Sequence, residues 1–144
     1  MYGVVIDAKK DMVSAEETER ARRKIRDRRR ERSRPVGKTS AKRGGDATAG
    51  VAVNEFMHIV QEGGSAAIQC VCGQVLGDAA RNFKEGTLIE EGLVKEAGPH
   101  VNEFDVARRF VFRQFYCPGC LRRLETEICL KDEPILHDVE VAFR

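Results

Sequence analysis

Two short motifs, Cys70-Val71-Cys72-Gly73 and Cys117-Pro118-Gly119-Cys120, dominate the second half of this chain. Four thiolates satisfy the tetrahedral preference of Zn²⁺, and an all-cysteine set leaves no open position for a substrate or a water molecule. Glycine next to the ligands permits tight turns in which backbone N–H groups point at sulfur. The pattern predicts a structural zinc ion whose ligands are Cys70, Cys72, Cys117 and Cys120.

Two other interpretations of these motifs stay open. Four buried free thiols would give the same composition, and the C-x-C spacing of Cys70 and Cys72 is less usual than C-x2-C. A redox dithiol at Cys117 and Cys120 is disfavoured because no βαβ pattern surrounds the pair.

The other candidate ligands have weaker patterns. Cys129 falls within a predicted strand, which favours an ordinary packed thiol. His137 beside Asp138 is the remaining ligand-capable pair, although the pattern favours an ordinary histidine held by a neighbouring carboxylate or a backbone group. His58 and His100 show no partner in the sequence.

Composition favours a cytoplasmic protein with one folded domain. The chain has 144 residues, of which 42% are hydrophobic and 33% are charged. No run approaches the roughly 20 apolar residues that span a bilayer. No signal-peptide core precedes the charged residues that begin at Asp7. In the cytoplasm, clustered cysteines favour metal binding over disulfides.

Charge divides the chain into a basic arm and an acidic body. Residues 1–43 contain 15 Lys and Arg and 7 Asp and Glu, a net charge of +8, whereas residues 44–144 contain 10 and 16, a net charge of −6. Ser14 followed by Glu17 predicts a helix start. Ile25 is the one large apolar residue between Ser14 and Ser33, so this helix is either exposed to solvent or laid on an acidic partner.

The sequence predicts three regions: a docking arm with a helix (1–34), a flexible linker rich in Gly (35–50) and a zinc-binding β domain (51–144). Predicted strands include 66–69, 87–94, 107–117, 121–130 and 134–143, with mixed signals over 51–60. Alternation in 121–130 predicts an apolar face and a charged face. The apolar face contains Leu124, Thr126, Ile128 and Leu130, and the charged face contains Arg123, Glu125 and Glu127. The expected fold is mainly β, a small zinc-ribbon-like domain with an extended N-terminal arm that contains one basic helix.

Motifs of several enzyme classes are absent from the sequence. There is no G-x-S-x-G, no H-E-x-x-H and no glycine-rich phosphate loop before a helix. We therefore expect no catalytic residue and no organic cofactor site on this chain. Two functions stay open: a small subunit of a larger complex, and a nucleic-acid-binding protein that uses its basic helix. The acidic body would repel phosphate, and the arm has no aromatic residue after Tyr2 to stack on a base.

The body resembles the small gamma subunit of acetone carboxylase and its relatives in the acetophenone carboxylase group. Three segments carry the resemblance: Cys70 to Gly73 with Asp78 and Asn82-Phe83-Lys84, then Arg113 to Cys120, then Ile135-Leu136-His137-Asp138. The arm, Tyr2-Gly3-Val4-Val5-Ile6-Asp7 with its Arg-rich helix, resembles the C-terminal tail of hydantoinase B-type subunits.

The resemblance implies a non-catalytic structural subunit of an ATP-dependent ketone carboxylase, a ligase that forms a carbon–carbon bond. A shorter segment beyond His137-Asp138 and the different N-terminus favour an aryl ketone, carboxylated to a 3-oxo acid, over acetone. Larger hydantoinase- or carboxylase-type subunits would be the partners in a hetero-oligomer and would hold the nucleotide and substrate sites.

Overall fold

The described residues of the protein are mainly β and include one α-helix, as the sequence predicted. The computed structural model describes residues 3–38, 44–45, 50–62, 64–98 and 109–139. The chain forms two compact units, Met1–Arg32 and Ser33–Arg144. None of the helices in the described part of the chain has both the length and the apolar character needed to cross a bilayer.

The first unit is a small hairpin followed by the basic helix. Strand β1 (Ile6–Asp7) pairs antiparallel with β2 (Met12–Val13), and helix α1 spans Ala15–Arg32. The helix begins directly after Ser14, the predicted N-cap. Acidic residues occupy its first turn and arginines its last turn, which is the distribution that the helix dipole favours.

Polar contacts tie the helix to the segment before it. The Val5 backbone N–H donates a hydrogen bond to Thr18 Oγ1 at 3.0 Å, and the Ser14 N–H donates to the Val5 carbonyl at 2.9 Å. Thr18 is the one buried residue of α1, while Ile25 is half-buried and faces Gly3. A helix with so little apolar burial gains little stability from its own unit.

The described part of the second unit contains two four-stranded antiparallel sheets. Their strands are β3 (Arg34–Pro35), β4 (Val51–Asn54), β5 (Met57–Glu62), β6 (Ser65–Cys70), β7 (Val75–Asp78), β8 (Leu88–Gly92), β9 (Phe110–Tyr116) and β10 (Arg123–Leu130). The first sheet has the order β4-β5-β6-β7 and the second the order β10-β9-β8-β3. Short 3-10 helices at Phe83–Gly86 and Val94–Ala97 accompany the sheets.

The core of this unit includes cysteines as well as aliphatic and aromatic side chains. Met57, Ile68, Cys70 and Cys117 are each fully buried, and Phe83 is 1% exposed within the same cluster. Leu124 of the second sheet belongs to the same cluster as these residues, so the cysteine turns are packed into the core rather than projecting from it.

The predicted faces of β10 are wrong beyond its first residues. Leu124 is buried as expected, but Ile128 is 52% exposed and Glu127 is only 8% exposed. The pairing with β9 shifts between Arg123 and Glu125, because Leu124 is an extra residue at a β-bulge. One extra residue exchanges the two faces of every residue that follows it.

The predicted last strand, 134–143, is not formed over residues 134–139, and residues 140–143 lie outside the described part of the chain. The segment is held by side chains instead of by a sheet. The Asn82 amide Nδ2 donates to the Leu136 carbonyl at 3.0 Å, and Lys84 Nζ lies 3.0 Å from Asp138 Oδ1.

The predicted linker 35–50 falls partly outside the described residues, at 39–43 and 46–49. At its start, β3 pairs with β8, with Arg34 opposite Ile89. Residues 34 and 35 therefore belong to the second sheet. The three-region division of the chain stays a prediction.

Candidate metal centre

The four cysteines predicted as ligands lie together. Their Sγ atoms are all within 4.8 Å of one another. The Sγ atoms of Cys70 and Cys120 are 3.8 Å apart, and those of Cys72 and Cys117 are 3.6 Å apart. Zinc–sulfur bonds of about 2.3 Å at tetrahedral angles require sulfur atoms about 3.8 Å apart. The cluster therefore has the dimensions of a four-thiolate site and could hold a metal ion.

The first pair lies on the turn between β6 and β7. The Gly73 N–H donates to the Cys70 carbonyl at 2.8 Å, and the Cys70 N–H donates to the Gln74 carbonyl at 2.9 Å. Gly73 has a φ of +88°, in the left-handed region that side chains disfavour. Glycine at this position lets the chain reverse directly after Cys72.

The second pair lies on the turn between β9 and β10. The Leu121 N–H donates to the Cys117 carbonyl at 2.8 Å, and the Cys117 N–H donates to the Arg122 carbonyl at 2.9 Å. Leu121 itself has a φ of +58°. A Cβ added at Gly119 would lie 3.1 Å from the Gln74 side chain, so the absence of a side chain there allows the two turns to approach.

Each of the two sheets therefore contributes one pair of thiols. Phe56, in the turn between β4 and β5, adds a second link between the same parts of the unit. Its carbonyl accepts the Val71 N–H at 3.0 Å, and the Arg122 guanidinium lies 4.8 Å from its ring centroid. An ion in the cluster would cross-link the two sheets at their cysteine turns.

The pKa values of the clustered thiols are shifted in opposite directions. Hydrogen bonds from Cys117 and Cys70 lower the pKa of Cys120 to about 2, whereas the hydrogen bond with Cys120 raises the pKa of Cys117 far above its ordinary value. For Cys70, the bond with Cys117 lowers the pKa, but the bond with Cys120 and burial outweigh it and raise the value to about 12. Close thiols cannot all ionise together, whereas a coordinating divalent cation favours their deprotonation.

The remaining candidate ligands lie elsewhere. Cys129 is buried in β10 and contacts the Glu127 carboxylate at 3.8 Å. His137 is exposed, and the Asp138 carboxylate pairs with Lys84. His58 lies in β5 with a buried Nδ1 that has no hydrogen-bond partner among the described residues, and His100 lies outside them. Among the described residues, the four cysteines are the group close enough to share an ion.

A buried charge network in the second sheet was not predicted from the sequence. Arg113, 5% exposed, bonds to Glu91 at 3.0 Å and to Glu127 at 3.1 Å. The fully buried Lys84 lies 3.2 Å from the other oxygen of Glu127. Burial raises the pKa of the Glu91 carboxyl, but the hydrogen bonds from Arg113 and Arg34 outweigh it and hold the pKa below its ordinary value. The signal missed in the sequence is the β-bulge that turns Glu127 inward.

Comparison with known proteins identifies the family of this chain. The family model described as the acetone carboxylase gamma subunit matches residues 46–144, which include all four cysteines of the cluster. The acetophenone carboxylase beta subunit of Aromatoleum aromaticum (strain DSM 19018 / LMG 30748 / EbN1) is 37% identical over 75 residues. That alignment covers 49% of this chain and 58% of the relative.

Residues 1–45 lie outside the matched range, so the resemblance of the arm to a hydantoinase B-type tail stays a prediction. The matched range covers most of the body, and both descriptions name a subunit of a carboxylase. The chain belongs to the acetone carboxylase gamma subunit family.

Proposed function

We propose that this chain is a non-catalytic structural subunit of a multi-subunit, ATP-dependent ketone carboxylase and that it holds one Zn²⁺ through its four clustered cysteines. The observation that carries the zinc assignment is the four-sulfur cluster with tetrahedral dimensions between two sheets. Zinc bound there supplies four metal–thiolate cross-links. All four coordination positions belong to the protein, which is typical of structural rather than catalytic zinc sites.

Family membership and the acetophenone carboxylase relative support the carboxylase assignment. The relative favours an aryl ketone, carboxylated to a 3-oxo acid, as the substrate of the complex. Nucleotide and substrate would bind to larger subunits of the hydantoinase or carboxylase type. We place the complex in the cytoplasm, where free thiols stay reduced and available to the metal.

The first unit supports a docking role for the arm. Its hairpin and the residues before it expose four large apolar side chains, with exposed fractions from 49% to 65%; these are Val4, Ile6, Met12 and Val13. The helix that follows contains eight arginines and one lysine. An apolar strip next to a basic helix fits a partner surface that has an apolar groove with acidic residues around it.

The decisive experiment is a mild affinity purification of the chain from its native cell at moderate salt. We expect large carboxylase-type subunits in a fixed ratio, with about one zinc ion per copy of this chain, as for a closed four-thiolate site. Recovery of nucleic acid that is released as salt rises, without large protein partners, would instead support the nucleic-acid-binding function.

A further inference from the structure

The glycine pair of the predicted linker lies against the first cysteine turn. The Gly44 N–H donates to the Gly73 carbonyl at 2.9 Å. The Gln69 amide Nε2 donates to the same carbonyl at 2.9 Å and to the Gly45 carbonyl at 3.0 Å. Gln69 is fully buried at the residue before Cys70. A segment 24 residues away in sequence is thus attached to the turn that carries two metal ligands.

The contact depends on the absence of a side chain at one of the two glycines. A Cβ added at Gly44 would lie 2.6 Å from Gln69 Nε2, so the glutamine amide would have to move. A Cβ added at Gly45 would meet nothing within 4 Å. Neither glycine has a φ in the left-handed region, so alanine fits the backbone at both positions. The two positions therefore differ in contact and not in backbone strain.

We propose that Gly44 and Gln69 form a clamp that holds the Cys70–Gly73 turn in its ligand-binding shape and slows the loss of the metal. Two donors fix the Gly73 carbonyl, and the Gly73 N–H closes the turn onto Cys70. Cys72, half-buried on this turn, is the more exposed ligand of its pair. Gln69 is a positioning residue, because it acts through the turn and not on the ion. The clamp rests on the proposed zinc site.

The clamp and the metal stabilise each other. If the clamp favours the metal-binding shape of the turn, then the bound metal favours the attached state of Gly44 by the same free energy. The Gly44 amide proton should therefore exchange with solvent more slowly in the zinc-loaded protein than after zinc is removed. This readout does not depend on any carboxylase activity.

The test compares three full-length variants: Gly44→Ala, Gly45→Ala and Gln69→Leu. Each is loaded with zinc, and zinc release to an excess of a chromogenic chelator is followed over time. Gly44→Ala and Gln69→Leu should release zinc about tenfold faster than the wild type, the lower end of the range for residues that support metal ligands. Gly45→Ala should release it at the wild-type rate.

The outcomes separate the clamp from the zinc site itself. A folded Gly44→Ala protein that releases zinc at the wild-type rate overturns the clamp. A Gly45→Ala protein that releases zinc as fast as Gly44→Ala also overturns it. If Gln69→Leu fails to fold, the glycine pair still decides the question. A wild-type protein that binds no zinc refutes the proposed metal centre instead.

Discussion

The buried cysteines of this protein have different surroundings, as Cys117 and Cys129 show. Cys117 is fully buried, belongs to the core, and lies 3.6 Å from Cys72 Sγ. Cys129 is almost as buried, but its thiol faces the Glu127 carboxylate, and burial raises its pKa. Burial alone therefore does not distinguish a candidate ligand from a packed thiol. The distance to other cysteine sulfur atoms does.

The first prediction compares these two cysteines. Cys117→Ser should abolish zinc binding and leave the body unfolded or insoluble, because structural zinc supplies on the order of 10 kcal/mol of folding free energy in small domains. Cys129→Ser should keep its zinc and lose about 1 kcal/mol of stability, the typical cost of a point substitution. Metal analysis and circular dichroism measure both effects. A soluble, folded Cys117→Ser protein with normal zinc content would remove Cys117 from the ligand set.

At the level of elements, the second sheet is stabilised across its strands by charge as well as by apolar packing. Arg113 in β9 stands directly opposite Glu91 in β8 and Glu127 in β10. Its Nη2 also donates to the carbonyls of Lys131 and Glu133, which fixes the chain as it leaves β10. This charge row of Glu91, Arg113 and Glu127 connects three strands and the segment that follows β10.

The second prediction tests this row. Glu127→Gln should lower the free energy of unfolding by about 3 kcal/mol, because it leaves the buried Lys84 and Arg113 short of a counter-charge. The measurement is equilibrium denaturation of the zinc-loaded protein. Glu16→Gln is the matched control, since Glu16 pairs with Arg20 on the exposed surface of α1 and should change stability little. Equal effects of the two substitutions would contradict a structural role for the row.

The third prediction concerns the hairpin of the first unit. Replacing Ile6 and Met12 together by Asp should weaken assembly with the proposed larger subunits at least tenfold, because anchor side chains of an interface each contribute about 1 kcal/mol or more. Zinc content should not change. Val51→Asp is the control, because Val51 is an equally exposed apolar residue of the second unit, 71% exposed. Co-purification yields give the result, and unchanged assembly of the double variant would remove the docking role.

At the scale of the whole molecule, the proposed metal centre would decide whether the two sheets of the second unit unfold together. The cysteine turns belong to the same core cluster that buries Met57, Ile68 and Phe83. Small domains often need such a cross-link, since their apolar cores alone supply little net stability. The second unit should therefore unfold in a single transition only while the metal is bound.

The fourth prediction follows from this dependence. Removing zinc with a chelator under reducing conditions should lower the melting temperature of the body sharply and broaden the transition, and added zinc should restore both. Differential scanning calorimetry with parallel metal analysis checks it. An unchanged melting temperature after verified zinc loss would show that the apolar core holds the sheets together without the ion.

Much of the fold and the candidate site could be predicted because the signals are local. Turn-forming glycine and proline residues beside the cysteines predicted two ligand turns, and the structure brings all four sulfur atoms together. The helix start after Ser14 and the predominance of strands were also correct. That the cluster binds a zinc ion stays a proposal.

Local patterns failed where a distant contact decided the outcome. Alternation predicted an outward Glu127, but the bulge at Leu124 and the buried charges of Arg113 and Lys84 place it inside. In the described part of the predicted last strand, residues 134–139, the side chains of Asn82 and Lys84 hold the segment without a sheet.

The sequence by itself determined which four cysteines form the candidate metal centre, the predominance of β-structure and the division of charge into a basic arm and an acidic body. These features depend on residue type and on spacing within a few positions, so no partner segment is needed to recognise them. Only the tertiary structure decided the inner face of β10 and the attachment of Gly44 to the cysteine turn. The inner face of β10 depends on strand register, and a shift of one residue would reverse it. The attachment of Gly44 depends on hydrogen bonds between residues far apart in the chain, which no local pattern of the sequence encodes.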